Sequence, residues 1–184
     1  MCKRSDKTIF NFCKRLRTEP LDVMLEEGRR LFTCRERPDV VLCLSNRKRR
    51  QINLVRNAEH PADAVRIEGA DSLMYLFPGL KVQGNLTRRG VVNGVIYVVE
   101  EAGEAGAGGK IVVKDLDTEE LISLTHEQAG KLLKLCFAIT IYSSQSKTLH
   151  GNICVTDTRK PLFTSAHLLV AVSRAVRADS VLVD

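Results

Sequence analysis

The stretch that most constrains this chain is the 18-residue run Leu132-Leu133-Lys134-Leu135-Cys136-Phe137-Ala138-Ile139-Thr140-Ile141-Tyr142-Ser143-Ser144-Gln145-Ser146-Lys147-Thr148-Leu149. Its first half is apolar except for Lys134. From Thr140 onward hydroxyl and amide side chains crowd together. A continuous apolar run of this kind predicts a buried strand of a parallel sheet. The polar half predicts the turn and short helix that follow it. Ligands of open α/β sheets bind outside the carboxyl ends of the strands. The cluster is therefore a candidate site, although the same residues would also serve as a polar cap on a solvated helix.

Other segments support an α/β reading. Asp39 to Ser45 is an aliphatic strand followed by Asn46 and a basic helix from Arg47 to Asn57. Asn152 to Asp157 and Ser180 to Val183 are further strands. Ser165 caps a helix that runs to about Ala175. Upstream, residues 7–17 have helical apolar spacing, and a second helix starts at Thr18-Glu19-Pro20, with Gly28 as an interruption. Residues 58–72 read as a connection. A β region follows from Leu76, in which Asn93-Gly94 between aliphatic runs is a hairpin signal. Ile111 to Val113 and Leu121 to Leu124 continue it, and Thr125 starts a short helix.

Two motifs invite chemistry and fail. Gly108-Gly109-Lys110 suggests a phosphate loop, but Glu104 stands where the first glycine is required and Ile111 replaces Ser or Thr. A strand follows it rather than a helix, so it reads as a hairpin loop. The six cysteines form no C-x-x-C pair and no zinc spacing. Cys43, Cys136 and Cys154 lie in apolar runs and read as buried thiols of a reducing, intracellular compartment. No run approaches the roughly 20 apolar residues needed to span a bilayer, and no membrane partner is expected. The net charge of +6 is concentrated in the first third, in runs such as Arg47-Lys48-Arg49-Arg50, and favours polyanionic partners.

Residues 132–149 resemble motif V of superfamily 1 helicases in the RecD-like branch that includes the petite-integration-frequency helicases. That family reads L-P-L-K-L-A-W-A-I-T-I-H-K-S-Q-G-x-T-L. Ser165-Ala166-His167-Leu168-Leu169-Val170-Ala171-Val172-Ser173-Arg174-Ala175 is similar to motif VI, R-H-L-Y-V-A-L-S-R-A, at the family's spacing. Ser45-Asn46 and Ile52-Asn53 resemble motif IV. The region with Pro78-Gly79 and Val92-Asn93-Gly94 resembles a small SH3-like insert of that family, with Tyr97 where the family often has a second glycine.

The resemblance implies an α/β fold: a RecA-like parallel sheet with helices on both faces, plus an SH3-like β-barrel insert. It implies a helical basic segment over 1–38, the second RecA-like domain over 39–65 and 125–184, and the insert over 66–124. Arg174 would be the arginine finger, and Gln145 would lie near the nucleotide. Thr140, Ser143 and Ser144 would contact single-stranded DNA, with Ser45 and Asn46 adding backbone contacts. The family's His-Lys pair is Tyr142-Ser143 here, and the glycine after its Gln is Ser146. No Walker A or Walker B motif occurs in the sequence. ATP and Mg2+ are therefore expected only if an amino-terminal RecA-like domain completes the motor, and the isolated chain is not expected to be catalytic. A stand-alone nucleic-acid-binding or protein-interaction module derived from a helicase is the alternative.

Overall fold

Four short aliphatic segments line up in parallel, and the two central ones, Val40–Cys43 and Ile153–Val155, are buried at every position, as strands covered on both faces are. The computed structural model describes residues 6–69, 72–104 and 108–184. They form two compact units, one of residues up to Arg49 together with Ala138–Asp184, the other Arg50–Phe137.

The first unit opens with helices α1 (Lys7–Arg15) and α2 (Leu21–Leu31). Asp6 caps α1 by accepting from the Thr8 amide, and its second oxygen accepts from the Ala178 amide at 3.1 Å. These two N–H bonds hold the Asp6 carboxyl below its ordinary pKa. Strand β1 (Val40–Cys43) follows and leads into α3 (Asn46–Asn57), which runs on past the end of the first unit. Gly28 does not break α2. It is buried within the helix, where a Cβ would come within 3.3 Å of the Phe12 ring, so the gap admits the α1 aromatic. Phe12 in turn meets Phe32 edge-to-face at 4.9 Å.

The second unit is antiparallel. Its strands are β2 (Val65–Glu68), β3 (Leu73–Leu76), β4 (Lys81–Gly84), β5 (Ile96–Ala102), β6 (Ile111–Asp115) and β7 (Leu121–Leu124). Helix α4 (His126–Leu132) starts with a reciprocal cap between Thr125 and Gln128, and β8 (Leu133–Leu135) follows it. A five-stranded sheet has the order β7-β6-β5-β4-β8, and β2 pairs with β3. Strand β2 lies where only a connection was expected. Its four residues alternate, with Val65 and Ile67 buried and Arg66 and Glu68 exposed.

The chain then returns to the first unit with β9 (Ala138–Thr140), β10 (Ile153–Val155), α5 (Ser165–Val172) and β11 (Val181–Val183). The parallel sheet has the order β11-β10-β1-β9. Val41 pairs with Ala138, Leu42 with Ile139 and Cys43 with Thr140, and β9 lies at one edge of the sheet.

The apolar run at 132–141 is thus two strands in two sheets. Leu135 pairs with Val82 antiparallel, and three residues later Ala138 pairs with Val41 parallel. Lys134, the one charge in the run, marks the half-exposed position of the first strand. The two units meet in sequence at 49/50 and 137/138, where 65/66 and 124/125 were expected. Helix α5 is capped by Thr164, not Ser165: its hydroxyl accepts from the His167 amide, and His167 Nδ1 accepts from the Thr164 amide. The helix ends at Val172, short of Ala175.

Asn93-Gly94 does not form the tight hairpin either. That turn type needs positive φ at both central residues, and only Gly94 (φ 88°) has it. The requirement is met one turn earlier, at Arg89 (φ 54°) and Gly90 (φ 84°), where Arg88 and Val91 exchange both backbone bonds. The glycine-lysine segment joins β5 to β6, with the Gly103 amide donating to the Lys110 carbonyl. Residues 105–107 of that loop lie outside the described residues.

Candidate nucleic-acid and nucleotide interface

The register of the parallel sheet decides which side chains meet. Cys43 and Thr140 are opposite one another at the carboxyl ends of β1 and β9. The Ile141 amide donates to the Cys43 carbonyl at 2.9 Å, which carries the pairing one residue further. The turns that leave the two strands, Ser45-Asn46 and Tyr142–Ser144, therefore start side by side.

Each turn is built from its own side chains. Ser45 Oγ accepts from the Lys48 amide at 3.2 Å and caps α3. Asn46 Oδ1 accepts from Arg49 Nε at 3.1 Å. Of the basic run, Arg47, Lys48 and Arg50 are exposed, whereas Arg49 is buried. At the end of β9, Thr140 and Ser143 close on each other. The Thr140 hydroxyl donates to Ser143 Oγ at 2.9 Å, the Ser143 hydroxyl donates to the Thr140 carbonyl at 3.0 Å, and the Ser143 amide donates to Thr140 Oγ1.

Ser144 faces inward. It is fully buried, and its hydroxyl donates to the Ile141 carbonyl at 2.7 Å. The expected phosphate contact from Ser144 is therefore corrected: a side chain with no exposed surface holds the turn together instead. Gln145 is exposed. Ser146 adopts φ 63°, so the backbone keeps the left-handed geometry that suits the glycine of the resembled motif.

Arg174 lies just beyond α5 and is half-buried. Its Nε donates to the Val170 carbonyl at 3.2 Å, a carbonyl in the helix's last turn. Its NH2 donates to Ser173 Oγ at 3.0 Å, and its NH1 to the Lys147 carbonyl at 3.3 Å. The Leu149 amide donates to the Arg174 carbonyl, and Leu149 pairs with Ala175 in a short parallel bridge. The Lys147 ammonium in turn bonds the Ser143 carbonyl. A chain of contacts thus runs from the hydroxyl turn through Lys147 to Arg174. Thr140, Ser143, Ser45 and Asn46 share one end of the sheet, Arg174 is linked to Ser143 through Lys147, and Ser144 is withdrawn.

Asp157 was not singled out from the sequence. It follows β10, has φ 65°, and its Oδ2 accepts from the Leu44 amide at 3.1 Å, tying the end of β10 to the β1–α3 turn. The polar step from Val155 to Thr156-Asp157 was the available signal. Beneath the turns sits Cys43, fully buried. Burial and the nearby Asp157 carboxylate push its thiol pKa up to about 11, so it serves as packing rather than as a nucleophile. Among the described residues no group of three or more acidic, His or Cys side chains could hold a metal, and no helix is long and apolar enough to cross a membrane.

No protein-family model and no curated protein matches the sequence. Solved structures do. The Pif1 helicase of Candida albicans superposes with a TM-score of 0.69 at 19% identity, over 97% of this chain and 53% of that one. The chain has a Pif1-like fold. A Pif1 structure described as two coordinating helicases unwinding forked double-stranded DNA gives 0.68 at 20% identity, over 100% and 48%. Pif1 from Bacteroides sp in complex with ADP-AlF4 gives 0.58 at 16%, over 98% and 49%. The mixed α/β architecture with its parallel sheet is thus that of a RecA-like helicase fold, and the chain spans about half the length of these Pif1 helicases.

Proposed function

We propose that this chain is the second RecA-like lobe of an ATP-dependent DNA helicase, working with a lobe that carries the Walker motifs. One observation carries the reading. The in-register pairing of Cys43 with Thr140 makes the Ser45-Asn46 and Tyr142–Ser144 turns leave the same end of a parallel sheet, and Lys147 joins the second of these turns to Arg174.

In this reading ATP, with Mg2+, binds between the two lobes and supplies the hydrolysis that drives movement. Arg174 reaches its terminal phosphate. A guanidinium has five N–H donors, and three of those of Arg174 are used within the described residues. The remaining two suit a forked contact to phosphate oxygens. Gln145, exposed on the same connection, adds an amide beside the nucleotide. Thr140 and Ser143 turn their hydroxyls from each other to a single-stranded DNA backbone. Asn46 and the capped start of α3, with Arg47 and Lys48 exposed, attract the next phosphate. The five-stranded antiparallel sheet of the second unit is the SH3-like insert.

The exposed cations also favour a second reading, a binding module that holds single strands without a motor. Anisotropy of a fluorescein-labelled 20-nucleotide oligothymidylate, titrated with the full chain over a salt series, tests what both share. Salt-weakened binding is expected, and no binding at low salt defeats both. Hydrolysis of ATP by the chain mixed with a Walker-bearing lobe, above that of the lobe alone, separates the first reading from the second.

A further inference from the structure

We propose that Tyr142 is a stacking platform for one unpaired base of the bound strand, an inference that rests on the single-strand reading above. Tyr142 is 80% exposed, as much as any large apolar side chain among the described residues. It stands between Thr140 and Ser143, the two hydroxyls that close on each other. Its backbone is fixed from below. Ile141 is buried and bonded to Cys43, Ser144 is buried and bonded to Ile141, and the Gln145 amide donates to the Tyr142 carbonyl. A rigid turn thus presents a phenol ring to solvent at the strand end, where the ring gains nothing from packing.

The other large side chain at 80% exposure, Leu162, lies on the loop that leaves the same end of β10. In the sheet order β10 and β9 flank β1, so the loops that carry Leu162 and Tyr142 leave the strands on either side of the one that leads into Ser45-Asn46. Single strands differ from duplexes in offering base faces, and proteins hold them by pairing backbone contacts with aromatic stacking. Tyr142-Ser143 also stands where the resembled motif has His-Lys. A charge that would meet phosphate is missing and a π-face is present, so the contact moves from the backbone to a base. Every base has a π-face, so the contact tolerates any sequence.

Two labelled 20-nucleotide probes test this, oligothymidylate and an abasic strand of the same length. Tyr142→Ala is expected to weaken oligothymidylate binding about tenfold and to leave abasic binding unchanged, whereas Tyr142→Phe keeps the wild-type affinity for both. Tyrosine emission gives a second readout because the chain has no Trp. Tyr97 is buried and Tyr75 is stacked on His60 at 3.8 Å, so Tyr142 is the exposed emitter. Oligothymidylate should quench wild-type emission and leave that of Tyr142→Phe unquenched. Wild-type affinity of Tyr142→Ala for oligothymidylate, with Thr140→Ala still weakened, overturns the platform and leaves the single-strand reading standing. An equal loss on the abasic probe makes the phenol a backbone contact and also overturns it. If wild-type protein binds neither probe at low salt, the single-strand reading itself is lost and the platform with it.

Discussion

Arg174 NH1 donates to the Lys147 carbonyl at 3.3 Å, and this bond ties the turn after α5 to the segment that leaves the hydroxyl cluster. The same side chain caps its own helix through the Val170 carbonyl. Arg174 thus has a structural role and a proposed chemical one, and the two separate by magnitude. Arg174→Ala should cost about 1–3 kcal/mol of stability, the worth of its bonds to Val170, Lys147 and Ser173, measured by urea unfolding. In a reassembled motor it should lower ATP hydrolysis by about 10³, far more than that stability loss accounts for while the variant stays folded. Arg174→Lys keeps the charge but not the fork, so its hydrolysis should stay near the alanine level.

Ser144 and Ser143 are adjacent and should respond in opposite ways. Removing the buried Ser144 hydroxyl takes away its bond to the Ile141 carbonyl and should cost about 1 kcal/mol. Its single-strand affinity should stay within about twofold of wild type, since no exposed atom is lost. Ser143→Ala should weaken binding with the smaller stability loss. Anisotropy and urea midpoints on the two variants check the pair.

The helices α1 and α2 and the strands β1, β6, β7, β10 and β11 were legible because periodicity and burial agree there. The 132–141 run was not, since apolar residues that are continuous in sequence can change sheets without a turn residue. Only the half-exposed Lys134 betrayed the change. Strand β2 is too short for its alternation to stand out among flanking charges. Asn93-Gly94 misled because the tight turn went to Arg89-Gly90, where an arginine takes a left-handed φ that its residue type does not advertise. At the site, the resemblance named the turns at the strand ends, but not which serine faces in. That depends on the 3-10 geometry of Tyr142–Ser144, which puts Ser144 beneath the turn and Tyr142 above it.

Ser146 holds a left-handed φ of 63°, a conformation that costs a side-chain-bearing residue on the order of 1 kcal/mol. Ser146→Gly should therefore stabilise the chain by up to about 1 kcal/mol, less the extra entropy of the unfolded glycine chain. A β-branched residue should do the reverse, and Ser146→Val is expected to lower the urea midpoint. Unfolding of the two variants beside wild type settles the sign. A destabilised Ser146→Gly would mean that the serine hydroxyl contributes more than the backbone conformation costs.

Cys43 makes stability fall at high pH. Burial, reinforced by Asp157, raises its folded pKa to about 11 against an ordinary 9.0. The folded chain keeps the proton that the unfolded chain gives up, so this contribution is complete below about pH 9 and disappears as pH rises toward 11. The loss is on the order of 2 kcal/mol. Burial also raises the Cys13 and Tyr97 groups, which adds loss of the same sign, so the Cys43 share must be isolated by difference. Urea midpoints of wild type and Cys43→Ala, compared at pH 8 and pH 10.5 under reducing conditions, provide it. Wild type should lose more stability than Cys43→Ala between the two pH values. Equal losses would place the Cys43 thiol at its ordinary pKa and remove the buried-thiol account of that position.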